Sequence, residues 1–135
     1  MASTLPDIEL LDRSVNSINV SAPENSDLSG IGLDFSIKFS PTNEGKFSIL
    51  LGVNISELND SNEDGEQFMS IEMVGHFKTK KKGVSALEHF IAANMIYPEL
   101  RMLCVRMLDY MKVDASDFPL SVPSSALANQ SEKSS

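Results

Sequence analysis

Two stretches near the middle of the chain alternate apolar and polar residues, and a turn-forming sequence separates them. In the first, Ile31, Leu33, Phe35, Ile37 and Phe39 alternate with Gly32, Asp34, Ser36 and Lys38. In the second, Phe47, Ile49, Leu51, Val53 and Ile55 alternate mainly with Ser48, Gly52, Asn54 and Ser56. Strand geometry sends successive side chains to opposite faces, so each stretch makes one apolar and one polar face. Ser40-Pro41-Thr42-Asn43-Glu44-Gly45 lies between them, and an antiparallel hairpin is expected. After a polar loop, Met69, Ile71, Met73 and Phe77 alternate with Ser70, Glu72, His76 and Lys78 as a third strand. Ahead of the hairpin, residues Ile8 to Val20 form a weaker candidate, whose alternation slips at Leu10-Leu11 as at a bulge or on an edge strand.

The period then changes. Ser85-Ala86-Leu87-Glu88 has the pattern of a capping box, which opens a helix carrying Leu87, Phe90, Ile91 and Met95 on one stripe. A proline inside a helix removes a hydrogen bond and clashes with the preceding turn, whereas a proline at the first position suits a helix start. Pro98 is therefore read as the break between two helices, the second carrying Leu100, Leu103, Cys104, Met107, Leu108 and Met111. The expected class is α+β: a four-stranded antiparallel sheet with one dry face, followed by two helices.

Both helices have apolar residues to spare. Met102 and Val105 fall opposite the main stripe of the second, and Ala92, Ala93 and Ile96 fall behind that of the first. Such surface needs a partner besides the chain's own sheet, so self-association is expected. Leu50, Phe68 and Val74 fall on the polar face of the sheet, and the seven methionines include Met69, Met73, Met107 and Met111, read as core filler.

With 135 residues the chain is expected to be one domain over residues 1–123, followed by a mobile polar tail over 124–135, where Ser is abundant and large apolar groups are few. No apolar run is long enough for a membrane span, and the first residues have no secretory pattern, so a cytoplasmic protein is expected. Eleven basic against nineteen acidic residues give −8, which argues against nucleic acid or anionic lipid as partners. The single cysteine, Cys104, sits in an apolar stripe; His76 and His89 lack a nucleophile-and-carboxylate pattern; and there is neither a phosphate loop nor a metal-ligand spacing. No enzyme activity, cofactor or metal is expected. The acidic run Glu57 to Glu66 is read as a solvated loop, and Lys78, Lys80, Lys81 and Lys82 as an edge-protecting cluster or its partner.

Several landmarks now line up in order. Ala22-Pro23-Glu24-Asn25 follows the first strand, Gly75-His76-Phe77 closes the fourth, Ile96-Tyr97-Pro98 with Arg101 marks the helix junction, and Phe118-Pro119-Leu120 with Pro123 follows the last helix. On these residues the chain resembles the SecB family of export chaperones over roughly residues 8 to 123. The resemblance implies a homotetramer, a dimer of dimers with helices packed between sheets. It also implies an ATP-independent holdase that binds unfolded polypeptide in long apolar grooves. By position, those grooves would use Leu28 and Ile31, Met102 and Val105 on the second helix, and Phe118, Leu120 and Val122 in the following loop. The SecA motor is the further partner that export implies. SecB-like proteins that guard an antitoxin imply a dedicated partner instead, and a non-chaperone oligomeric binding module is the third alternative.

Overall fold

A computed structural model describes residues 7–21, 30–58, 64–116 and 118–132. Among the described residues there are five strands and one long helix: β1 (Ile8–Val20), β2 (Ile31–Phe39), β3 (Lys46–Leu58), β4 (Asp64–Thr79), α1 (Ala86–Tyr110), a 3-10 helix over Ser124–Asn129 and β5 (Gln130–Glu132). They form an α+β fold with sheet order β1-β4-β3-β2-β5.

The β2–β3 hairpin has the register that the alternation requires, with Phe35 opposite Val53 and Ile37 opposite Leu51. Its turn runs through Asn43 and Lys46, with Glu44 (φ 53°) and Gly45 (φ 77°) both left-handed, as a two-residue hairpin turn demands. The slip read in β1 is present: register shifts between Leu10 and Asp12 and again between Val15 and Ser17 leave Leu11 and Asn16 as extra residues on an edge strand.

Three expectations are corrected here. The sheet is not four-stranded and antiparallel but five-stranded and mixed, because β5 lies parallel to β2, with Ile37 opposite Gln130 and Phe39 opposite Glu132. Residues 124–132, expected to be a mobile tail, thus form a 3-10 helix and a strand. Ala126 supplies the burial that the composition of this segment seemed to lack. Nor are there two α-helices: α1 runs unbroken through Pro98. A mid-helix proline costs about 3 kcal/mol, and the buried stripe continuing on either side, from Ala93 and Ile96 to Leu100, Cys104 and Leu108, outweighs it.

Continuity also changes which face of the N-terminal half is buried. His89, Ala92, Ala93, Ile96 and Tyr97 face the sheet, while Leu87 is exposed and Phe90, Ile91 and Met95 are only half-buried. Small residues win because the helix comes down close on Gly75, where an added Cβ would lie 2.8 Å from Ile96 Cγ2 and 2.9 Å from Phe77 Cε1. The capping box forms as read: Glu88 N donates to Ser85 Oγ (3.2 Å) and Ser85 N to Glu88 Oε1 (3.0 Å). At the other end Lys112 turns left-handed (φ 64°), and Val113 N reaches Leu108 O at 2.9 Å, which closes a Schellman motif.

On the opposite face of the sheet, Leu50 and Val74 are a registered cross-strand pair, buried yet outside the main core cluster, whereas Phe68 belongs to that cluster. Among the described residues no helix is long and apolar enough to cross a membrane.

Candidate client-binding surface

The chain after α1 turns back and lies along the helix and the β2 side of the sheet. Its buried anchors recur at every fourth residue, Phe118, Val122 and Ala126. Side chains from successive turns of α1 hold it by its backbone. Tyr97 Oη donates to Pro119 O at 2.6 Å, and Arg101 Nε donates to the same carbonyl at 3.0 Å. One turn earlier, Asn94 Oδ1 accepts from Val122 N at 2.9 Å, while its amide donates to Phe90 O at 3.2 Å. Phe35 of β2 closes the trough from beneath, meeting Tyr97 edge-on at 5.9 Å and Phe118 at 6.4 Å. Burial pushes the Tyr97 phenol up to about 12, so it stays a donor across the working pH range.

The far end of this segment borders an open hollow of about 320 Å³ lined in part by Phe39, Val84, His89 and Glu132. His89 stacks on Phe39 (4.2 Å, 18°) and meets Phe47 at 5.8 Å. Burial lowers the His89 pKa, while the Gln130 side chain and the charge of Glu88 oppose that shift. Glu88 is itself held down at about 2, first by Lys81 (Nζ–Oε2 2.5 Å) and then by the Ser85 backbone amide. Burial likewise pushes the Cys104 thiol up to about 12, far from the thiolate that nucleophilic or metal chemistry requires. His76 is exposed on the opposite face of the sheet, 4.0 Å from Asp12.

The sequence-derived groove residues separate into three groups. Phe118 and Val122 are buried in the chain's own core. Ile31 and Val105 are half-buried, while Met102 (47% exposed) and Leu120 (84%) stand in solvent. Leu28 and the Ala22–Asn25 landmark lie outside the described residues, as does much of the acidic loop.

Sequence reasoning missed a second apolar surface. Register sets Val15, Ile18 and Val20 opposite Met73, Ile71 and Met69, hence on the helix-bearing face, yet they remain 44%, 46% and 40% exposed. The helix lies mainly over β3 and β4 and leaves them partly exposed; nearby, Arg13 of β1 crosses to α1 in an ion pair with Glu99. The two bulges hid this face, since each one reverses the parity of the alternation.

A comparison with models of known protein families finds no match, and a comparison with curated proteins finds none either. Solved structures do match. One is the Mycobacterium tuberculosis Rv1957 SecB-like chaperone, solved in complex with a ChAD peptide from the Rv1956 HigA1 antitoxin. It aligns over 87% of this chain and 86% of its own, with a TM-score of 0.59 and 12% identity. The chain therefore has the fold of a SecB-like chaperone.

Proposed function

We propose that the chain is an ATP-independent holdase, a homotetramer that binds nonnative polypeptide in apolar grooves and keeps it unaggregated and fit for translocation. The observation that carries the reading is apolar surface left uncovered in one subunit on two elements at once. Met102 stands exposed on α1, and Val15, Ile18 and Val20 on β1, in a fold shared with a chaperone. Burying such surface is worth ~25 cal/mol per Å², which favours assembly through part of it and client capture through the rest. At −8 per subunit a tetramer would carry −32, which attracts the basic stretches of unfolded chains. Several weak grooves on one tetramer act together through effective concentration. This reading needs no chemical step, cofactor or metal, and it places the work in the cytoplasm, with the SecA motor as the downstream partner.

The antitoxin peptide held by the Rv1957 structure supports a second reading, a chaperone dedicated to one such partner. Diluting a denatured protein into buffer with stoichiometric tetramer should suppress light scattering. No suppression, together with a particle of single-subunit mass at micromolar concentration, would overturn both readings and leave a non-chaperone module. Restored secretion in cells lacking SecB selects the export role, and selective protection of an antitoxin encoded beside it selects the dedicated one. Met102→Asp should weaken assembly or client capture; if both survive unchanged, the outer face of α1 is not part of the working surface.

A further inference from the structure

The C-terminal segment has the form of a bound peptide. It is an irregular stretch and a turn of 3-10 helix with apolar anchors at intervals of four, gripped through its backbone by helix side chains and finished by a short strand on a sheet edge. Its two halves are held very differently. The first half, Phe118 to Pro123, has two large buried side chains and three hydrogen bonds with helix side chains, two accepted from Tyr97 and Arg101 and one donated to Asn94. The second half, Ser124 to Glu132, has one buried methyl group, Ala126, one bond from Gln130 Nε2 to Ala86 O (2.6 Å) and a three-residue parallel ladder on β2. Parallel pairing is the weaker kind per residue, and three residues are a minimal strand. Closure also leaves His89 Nδ1 and Gln130 Oε1, among the described residues, buried without a hydrogen bond of ordinary geometry, although the Gln130 side chain lies close enough to act on His89. Opening lets water satisfy both.

Resting on the holdase reading, we propose that residues 124–132 are a displaceable strap, a cis competitor that occupies the β2 edge at Ile37–Phe39, beside the open hollow over Phe39 and His89, until an extended segment of nonnative polypeptide takes its place. The occupant is defined by what the strap leaves unsatisfied. It is an extended main chain that pairs with Ile37–Phe39 and places apolar side chains in the hollow lined by Phe39, Val84 and His89. A polar strap competes weakly by design: Ser124, Ser125, Asn129 and Ser131 offer the trough little apolar surface. Strand addition to a sheet edge is a common way to hold a chain through its backbone without reading its sequence.

Affinity for a site open only part of the time falls by the open fraction, so the strap's position can be read from binding. Two variants bracket the full chain: a stop after Pro123, and Lys38→Cys with Ser131→Cys, registered neighbours that oxidation can tie shut. Cys104 is fully buried and does not interfere. With a reduced, alkylated, permanently unfolded protein as the probe, the truncated chain should bind about tenfold more tightly than the full chain. The oxidised lock should bind about tenfold more weakly, and reductant should restore it. Equal binding, within about twofold, by all three would overturn the strap while leaving the holdase reading in place. If none of them binds the probe, the holdase reading falls, and hydrogen exchange on the intact protein still decides the strap. The β5 amides should exchange at least about a hundredfold faster than those of β3, through a local opening that the lock abolishes. Exchange of β5 in step with β3 would overturn it.

Discussion

Gly75→Ala tests how closely α1 is pressed onto the sheet. Gly75 lies on β4 opposite Ile49 and Arg13. A Cβ there would stand 2.8 Å from Ile96 Cγ2, 2.9 Å from Phe77 Cε1 and 3.2 Å from Phe77 Cζ. Ordinary carbon contacts begin near 3.5 Å, so the helix or the ring must move by more than half an ångström. Neither moves freely: Ile96 and Phe77 are fully buried, and Ala92 and Ala93 hold the same stretch of helix down. Overpacking of this kind costs about 1–3 kcal/mol. The backbone of Gly75 is not left-handed, so alanine also recovers about 0.4–1 kcal/mol by restricting the unfolded chain. The expected net loss is about 1–2 kcal/mol, read as a lower urea midpoint with unchanged slope at a fixed protein concentration.

The double-mutant cycle makes the test specific. Ile96→Ala alone should cost about 2–5 kcal/mol by opening a cavity. In the Gly75→Ala background it also removes the methyl group that clashes, so the pair should cost at least about 1 kcal/mol less than the sum of the singles. A Gly75→Ala change within about 0.5 kcal/mol of the parent, or strict additivity with Ile96→Ala, would refute the close-approach account.

Tyr97→Phe should cost about 1 kcal/mol, because Arg101 still satisfies Pro119 O. Since burial raises the Tyr97 phenol from 10.0 to about 12, the parent should lose more stability than the variant as pH rises through that interval, the buried Cys104 thiol leaving both a common share, checked by denaturation across the range. For His89 the sign is opposite: burial lowers its pKa, so the unfolded or opened chain takes up the proton first, and stability is full above 6.5 and declines as pH falls below it. Glu88, Gln130, Lys82 and Glu132 are the charged and polar groups around it, and His89→Phe should keep the Phe39 stacking while flattening that part of the pH profile. Pro98→Ala should stabilise the protein by about 1–2 kcal/mol, seen in thermal melts, because the exposed ring serves no packing and its absent N–H leaves the Asn94 carbonyl without its helical donor.

The strands were legible because alternation over nine or more residues leaves little choice, and both the hairpin turn at Asn43–Lys46 and the capping box at Ser85 use residue types that few other structures require. Pro98 misled because local chemistry and tertiary packing disagree there, and the stripe that overrules it is visible only when the helix is read as one. Counting from Leu87 selects the largest side chains as the core face, but helix–sheet distance is set by Gly75 on another element, and a close approach rewards alanine. Strand β5 had no signal of its own: Gln130-Ser131-Glu132 has neither alternation nor apolar weight, and it pairs because Phe118 and Val122 deliver it to the β2 edge. The family resemblance places Phe118 and Val122 in the groove by position, but position in the sequence does not say whether a client or the chain's own core covers them, and here the core does.

The two ends of the sheet are finished in different ways, and the difference bears on function. An open strand edge invites pairing with whatever chain comes near, so each end must be blunted or used. At the β2 end the chain supplies its own strand, loosely attached. At the β1 end, among the described residues, it supplies only bulges at Leu11 and Asn16, which interrupt a continuous edge-to-edge ladder without covering Val15, Ile18 or Val20. A surface that is apolar, bulged and uncovered suits a partner of fixed shape that can match the bulges, such as a second copy of the same subunit. An edge closed by a polar, removable strand suits partners of no fixed shape, because only the backbone must match. On the proposed holdase reading, this division would give assembly to the β1 end and polypeptide capture to the β2 end. Substitutions at Val15 or Ile18 should then change the oligomeric state, whereas removal of residues 124–135 should change client affinity and leave the oligomer intact.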